Sequence, residues 1–553
     1  MDSEAFRIYG KQMVDFVADY WESLDNQEIN LEHNNRKSLP NVKPGFIWDM
    51  VPSEPPQNGE PWSVIFKDLE PIVLANNTNW HHPNFFAYYP TACSYPAIMG
   101  DILSGGIASI GFTWKSSPAM TELEMAMTDW LAKAIGLPDI FLNSHPGPGC
   151  GIIQSTASDA TLVALLSARA RAVAITKAKE KFASDKNWIQ CSIDKTLNKL
   201  TLGKELVQRR FSLINQTSNH QNGIISMENK TGAFEKSDVT LFENHDPDYF
   251  NKFVAYCSDQ AHSSVDKGVM LSGVRIRKLK STREVSAGNF TVQPAVLEAA
   301  IKEDRANDLI PFIFIATVGT TNTCGMDSVK NLGPICAREK IWIHVDAAYA
   351  GSFLLCEEFR YLAENLDLID SFNFNPHKAM MINFDCSPMW FKDAAEAINY
   401  FNVDPVYLKH EHQAVASDYR HLQVALGRRF RSLKIWFVFR SMGVKKIQEF
   451  LREQVKLAVY FAELIQQDER FELFVPQHLG LVCFRIKGDN AINEHLCTAI
   501  NEDGRIHIVA AQSHEVYFLR FAVCSQKTTM KNVENAYQTI IEVANSLLNS
   551  HVN

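Results

Sequence analysis

The stretch SFNFNPHKAMMINFD (residues 371–385) sets one lysine, Lys378, between a polar turn and a run of apolar residues. Asn375, Pro376 and His377 carry the turn signal, Pro because its ring fixes φ and Asn because it tolerates turn geometry. The apolar run at 379–384 predicts a buried strand. A lysine at the mouth of an apolar pocket is desolvated, which disfavours its ammonium form and leaves a neutral amine able to condense with an aldehyde. The same window also describes a surface lysine at a strand start, because fully buried lysines are rare. The choice depends on what the rest of the chain places beside it.

Upstream, PFIFIAT (311–317) and IWIHV (341–345) are continuous apolar runs of strand length, with a helix-compatible segment at 328–340 between them. Strand, helix, strand with both faces of each strand apolar predicts a parallel sheet covered on both sides. FVAYCSDQAHSSVDKGVMLSGV (253–274) repeats the theme: a short strand, a polar turn carrying His262, then a helix. In open α/β sheets ligands collect at the carboxyl ends of strands, so Thr317, Asp346 and His262 are expected to face one crevice. Asp346 is followed by small residues, DAAYAG, that let a planar ring approach, and a buried carboxylate there calls for a cationic partner. An N-cap aspartate is the competing reading of that position.

GPGCGIIQSTASDATLVALLSARARA (147–172) reads as a glycine-rich turn, a group of hydroxyls and a long helix, an N-terminus suited to phosphate. Before it, NWHHPNFFAYYPTACSYP (79–96) is dense in aromatics and fits a pocket, an interface or a plain core loop. MTELEMAMTDWLAKAIGL (120–137) predicts a helix stopping at Gly136. Apolar positions 6, 9, 13, 16, 17, 20, 21 and 24 form a helical stripe, and prolines between 40 and 61 predict an extended strap. Together they suggest an arm packed across a body, its own or a second subunit's. After the lysine, NVDPVYLKHEHQ (402–413) is a candidate mobile lid, and GRRFRSLKIWFVFRSMG (427–443) starts basic and becomes a helix. Residues 185–236 turn polar and are expected to be a partly disordered surface insertion.

With 553 residues, the chain exceeds a single core. The expected division is an arm and strap (1–85), a large domain (86–435) and an α+β C-terminal domain (436–553). Net charge of −9 argues against nucleic acid or an anionic membrane surface as partner and favours small molecules. No secretory signal or spanning segment is recognisable, and the eleven cysteines lie singly without a CxxC pair. That pattern suggests reduced thiols in the cytoplasm, with no disulfide framework and no zinc site.

A phosphate turn, a carboxylate suited to a protonated ring nitrogen and an amine nucleophile together describe pyridoxal 5′-phosphate (PLP). HVDAAYAG followed by SFNFNPHK resembles the group II PLP-dependent decarboxylases, most of all their aromatic-amino-acid branch, over nearly the whole chain except 185–236. The resemblance implies the fold of PLP-dependent, aspartate-aminotransferase-like (fold type I) α/β enzymes, a homodimer with its active site at the subunit interface, and decarboxylation of an aromatic L-amino acid. It implies that Lys378 carries the cofactor, Asp346 pairs with the ring nitrogen, Ala348 packs against the ring and His262 stacks on the opposite face. Ala157, Ser158, Asn375 and His377 would hold the phosphate, and Thr317 would sit near the ring hydroxyl. Trp80, Tyr88 and Thr91 would line the substrate pocket, joined by Gly427 and by Ile110 and Phe112 from the partner subunit. Tyr407 would return a proton to the carbon that loses CO2.

Related aldehyde synthases instead couple decarboxylation to oxidative deamination with O2, giving aldehyde, ammonia and peroxide. In them the His262 position is Asn in insect enzymes, or the Tyr407 position is Phe in plant ones; this chain keeps His and Tyr. It departs from the family's common pattern at Ala379 (commonly Trp), at LQVA (422–425) and at GPGCG (147–151), which predicts a reshaped pocket beside the lysine.

Overall fold

The computed structural model describes residues 1–24, 36–89, 92–196, 244–284, 288–401, 405–412 and 417–550. Up to the lysine and just beyond, the strands are β1 (Cys150–Gln154), β2 (Phe253–Ser258), β3 (Arg275–Leu279), the short pair β4 (Thr282–Arg283) and β5 (Phe290–Thr291), β6 (Ile310–Thr317), β7 (Trp342–Asp346), β8 (Ser371–Asn373) and β9 (Ser387–Phe391). Seven of them form one sheet in the order β1-β9-β8-β7-β6-β2-β3. β9 runs antiparallel to both its neighbours, and the pairs from β8 to β3 are parallel. Residues of β1, β2, β7, β8 and β9 are buried throughout, which accounts for the largely apolar make-up of β2 and β7, where an exposed face would give alternation.

Helix Val329–Glu339 joins β6 to β7. Its Ser328 side chain accepts from the Asn331 N–H, and Lys340 closes it in a left-handed conformation, so both ends fall where 328–340 predicted. Helix Pro118–Ile135 likewise ends on Gly136 at φ +79°.

Three local expectations are corrected. Residues 379–384 form no strand: Pro376–Ala379 is a helical turn, favoured by Pro at its first position, and Met381 then adopts φ +57°, which a strand cannot contain. The strand of this window, β8, lies before the lysine. The glycines at 147–151 feed β1 rather than the helix, which begins at Ala157 after Ser155 and Thr156. That helix, Ala157–Thr196, runs into the stretch expected to be an irregular insertion; the remainder, 197–236, lies outside the described residues.

Helix Ser432–Gln466 links the large sheet to a second one of four strands, β10 (Phe471–Leu473), β11 (Leu481–Ile486), β12 (Val509–Ser513) and β13 (Val516–Ala522), in the antiparallel order β10-β11-β13-β12. The boundary expected at 435/436 falls inside this helix, which is interrupted at Gly443 (φ 71°, ψ 163°). Phe86, Phe461 and Phe521 stack in the core of the second sheet, with centroids 4.0 Å and 3.7 Å apart across Phe521.

The arm is helix Ser3–Ser23. Tyr9 stacks on Trp62 of the strap at 5.1 Å and Phe16 meets Phe66 edge-on at 5.2 Å, while Phe6, Ile8 and Val14 remain exposed. Helix Tyr95–Ile107 buries Ala97 and Gly100 against the body and leaves Met99, Ile102, Leu103 and Ile107 exposed.

Candidate active site

Sheet register brings the first three polar residues together. Thr317 pairs with Asp346 across β6/β7, and Asp346 with Asn373 across β7/β8, so one row crosses three adjacent strand ends. All three side chains are buried. Asp346 Oδ1 accepts from the Ala348 N–H at 3.0 Å, which folds the small-residue segment back over the strand end. Two residues beyond β8 the chain turns: Asn375 N–H donates to Ala348 O (3.2 Å), and Lys378 N–H to Asn375 O (2.9 Å).

Lys378 is partly buried, and its Nζ lies 5.6 Å from the centre of the Tyr89 ring. Burial lowers its pKa, Asp346 opposes the shift and the Arg520 charge adds to it. Arg520 approaches the same ring at 4.9 Å, and Tyr89 stacks on Tyr349 at 3.7 Å. This aromatic floor was not legible at the sequence level, which put Tyr88 in the pocket. Tyr88 has φ +59°, a left-handed turn that leaves its own ring half exposed, whereas Tyr89 packs over Lys378. Trp80 and Tyr88 stack on each other at 5.4 Å beside Phe85 and His507, a neighbouring aromatic cluster.

His262 caps helix Ser263–Ser272. Its Nδ1 accepts from the Ser264 N–H at 3.1 Å, so Nδ1 carries no proton and the hydrogen of the neutral ring is on Nε2. Burial and then the Lys378 charge lower its pKa, with Asp346 opposing, which places His262 within electrostatic reach of both. His377 is buried, its Nδ1 lying 2.6 Å from the Cys386 carbonyl oxygen and 3.0 Å from the Cys386 backbone nitrogen; burial and then Lys378 bring its pKa to about 4. The loop after the lysine is tied by Arg431 to the turn that precedes the helix at 157–196. Its Nη2 donates to Ser155 Oγ at 3.0 Å and to Asp385 Oδ2 at 2.8 Å. Arg431 was visible in the sequence only as part of a basic run.

Ala157 and Ser158 stand at the first turn of that helix, partly or fully open to solvent. Gly427 and Ile110 are neighbours, since a Cβ on Gly427 would meet Ile110 Cγ2 at 3.6 Å; Ile110 is exposed and Phe112 half-buried. Tyr407, on the turn Val406–Leu408, is 76% exposed and is not drawn into the Lys378 pocket of its own chain. Thr91 lies outside the described residues. Ala379 and Leu422, two of the departures from the family pattern, are buried in separate apolar clusters.

The match to the pyridoxal-dependent decarboxylase conserved domain spans residues 44–203 and 212–487. The chain belongs to the pyridoxal-dependent decarboxylase family. The match runs through most of 185–236, so that stretch has a counterpart in the family except at 204–211. This decarboxylase is 41% identical to the mouse (Mus musculus) aromatic-L-amino-acid decarboxylase over 99% of both chains. It is 42% identical to the Drosophila melanogaster aromatic-L-amino-acid decarboxylase over 99% of this chain and 92% of the fly protein. Among solved structures it superposes on Oryza sativa TDC with PLP and tryptamine with a TM-score of 0.81 at 30% identity, covering 99% of each chain. For Catharanthus roseus tryptophan decarboxylase in complex with L-tryptophan the TM-score is 0.78 at 32% identity, again over 99% of each. The fold is that of the type I PLP enzymes, and PLP is the cofactor of this decarboxylase.

The residues present fit that group. Thr317 Oγ1 and Asn375 Oδ1 are buried with no hydrogen-bond partner among the described residues, an arrangement that is costly unless a polar ligand completes it. They flank a lysine of lowered pKa and a buried aspartate, close to a helix N-terminus.

Proposed function

We propose that this decarboxylase removes CO2 from an aromatic L-amino acid and releases the arylalkylamine, with Lys378 as the attachment point of PLP. The convergence of Lys378, Asp346 and His262 at the carboxyl ends of the central strands carries the reading. When bound, PLP supplies a protonated ring that takes up the electron pair left by departing CO2. Desolvation of Lys378 keeps its amine available as a nucleophile. Asp346 holds the proton on the ring nitrogen, and the small side chain of Ala348 leaves room for the ring beside it. His262, neutral near pH 7 with Nε2–H free of its cap bond, covers the other face and orients the substrate carboxylate. The first turn of the 157–196 helix, with Ala157 and Ser158, joins Asn375 and His377 in holding the phosphate, and Thr317 meets the ring hydroxyl.

Trp80 and Tyr88 form the aromatic side of the substrate pocket, together with Gly427. Ile110 and Phe112 serve the neighbouring subunit of a homodimer, and Tyr407 returns the proton to the product carbon. The exposed apolar faces of the arm and of helix Tyr95–Ile107 support the dimer, since such patches on a monomer would be unfavourable. The names of the curated relatives support the aromatic substrate class. The working division is an arm (1–85), a catalytic body (86–435) and a C-terminal unit (436–553), acting in the cytoplasm. No described helix is long and apolar enough to cross a membrane.

The test is a product assay with purified protein and PLP across aromatic amino acids, reading CO2, amine, aldehyde and peroxide together. Amine equal to CO2 is expected. No CO2 from any substrate would sink the decarboxylase reading, and peroxide matching CO2 would identify an aldehyde synthase.

A further inference from the structure

Tyr407 is exposed, yet the residues that follow it are firmly docked. Leu408 is buried, and the His410 side chain is 1% exposed, its Nε2 within 3.1 and 3.2 Å of the two carboxylate oxygens of Asp418, itself 3% exposed. Asp418 Oδ1 also accepts from the Trp114 backbone N–H at 2.9 Å, and Arg420 stands 3.5 Å from Oδ2. The next two residues reach the same place: Glu411 pairs with Lys115 at 2.8 Å and the His412 ring meets Trp114 edge-on at 4.9 Å. Three consecutive side chains therefore fasten the Tyr407 segment to a turn that begins two residues after Phe112.

The three contacts differ in strength. Glu411–Lys115 is solvent-exposed on both sides and contributes little. The His410–Asp418 contact is buried, and a hydrogen bond to a buried carboxylate is worth more and costs more to break.

We propose that His410 and Asp418 are positioning residues for Tyr407: their buried hydrogen bond fixes the 405–412 segment to the Trp114 turn, so that the tyrosine hydroxyl and Phe112 are carried as one unit. Neither touches the reacting atoms. The proposal rests on the reading of Tyr407 as the group that returns the proton after CO2 leaves. With the hydroxyl misplaced, the carbon waits longer for its proton and O2 competes for it, diverting product from amine to aldehyde, ammonia and peroxide.

The experiment compares wild type, His410→Leu, His410→Gln and Tyr407→Phe as PLP-loaded full-length enzymes. It reads the amine-to-peroxide ratio, hydrogen exchange at 405–412 and the visible band of bound PLP. His410→Leu fills the space without a donor, whereas His410→Gln retains an N–H for Asp418. His410→Leu is expected to speed exchange and to lower the amine-to-peroxide ratio by about tenfold, the scale of one lost hydrogen bond to a charged group. His410→Gln is expected to recover most of both, with the PLP band unchanged throughout. If His410→Leu leaves the ratio at the wild-type value while Tyr407→Phe shifts it, the positioning role is overturned and the role of Tyr407 stands. If Tyr407→Phe leaves the ratio unchanged, the proton-return reading falls and the positioning proposal falls with it. Loss of the PLP band in His410→Leu would mark general structural damage and also count against it.

Discussion

Replacing Arg431 with leucine removes the only described tie from Ser155 Oγ to the segment after Lys378, and its consequences can be sized from the geometry. Arg431 makes two contacts with Asp385 Oδ2, at 3.1 and 2.8 Å, between side chains only 11% and 14% exposed. Breaking a buried pair by deleting one partner costs about 3–5 kcal/mol. Lys434, whose Nζ donates to the Asp385 backbone oxygen at 2.9 Å, remains to offset part of the carboxylate's charge, so about 3 kcal/mol is the expected loss of stability. Cofactor affinity is expected to fall separately if the 157–196 helix holds the phosphate as proposed: losing one charged hydrogen bond at the turn before it would weaken PLP binding by about ten- to a hundredfold.

Titration of the apoenzyme with PLP and urea denaturation read the two effects. pH adds a check on sign. Burial pushes the Asp385 carboxyl up, but the hydrogen bonds and charge of Arg431, with Lys434, outweigh it and hold the group below the ordinary carboxylate range. A depressed pKa gives stability that is present above the ordinary carboxylate value of about 4 and lost as pH falls through the folded value. In Arg431→Leu the burial effect is left less opposed, so stability is lost from a higher pH. An unchanged PLP dissociation constant together with an unchanged pH profile would refute the reasoning.

Lys378→Ala is expected to abolish the visible absorption of bound PLP and CO2 release while leaving the urea midpoint within error; absorbance and a CO2 assay check this. His344 and His377 are buried, with pKa values lowered to about 4, chiefly by burial. Their stabilisation is complete above the unfolded value near 6.5 and is lost as pH falls toward 4, at up to about 1.4 kcal/mol per pH unit for each, so denaturation midpoints measured from pH 7 to 5 should fall. Ile102→Asp, placed on the exposed apolar face of helix Tyr95–Ile107, is expected to shift sedimentation toward monomer and to lower activity in proportion at low protein concentration.

Much of the central sheet could be read from composition alone. Strands covered on both faces are largely apolar, and β6 and β7 stand out as PFIFIAT and IWIHV with capping residues on the helix between them. The polar residues at their ends stood out against those runs, although Asp346 by itself read equally well as an N-cap, and its Oδ1 does accept from the Ala348 N–H. What escaped depends on backbone conformation rather than residue type. Tyr88 and Tyr89 are indistinguishable in sequence, and only the left-handed φ of Tyr88 decides which ring meets Lys378. The apolar run after Lys378 reads as a strand because burial, not extension, selects its residues. Arg431 lies 53 residues beyond the lysine in the chain, and no local pattern announces that it returns to Ser155.

The break at Gly443 divides the longest link between the two sheets into unequal pieces. The first begins beside Arg431 and Lys434, which hold Asp385; the second carries Leu457 and Phe461 into the core of the four-stranded sheet. An unbroken helix would run as one rod from the core of the four-stranded sheet to the guanidinium that joins Ser155 to Asp385. A joint at Gly443 lets the two pieces of the helix take separate directions. The first piece follows the Arg431 and Lys434 contacts to Asp385, while the second follows the packing of the four-stranded sheet.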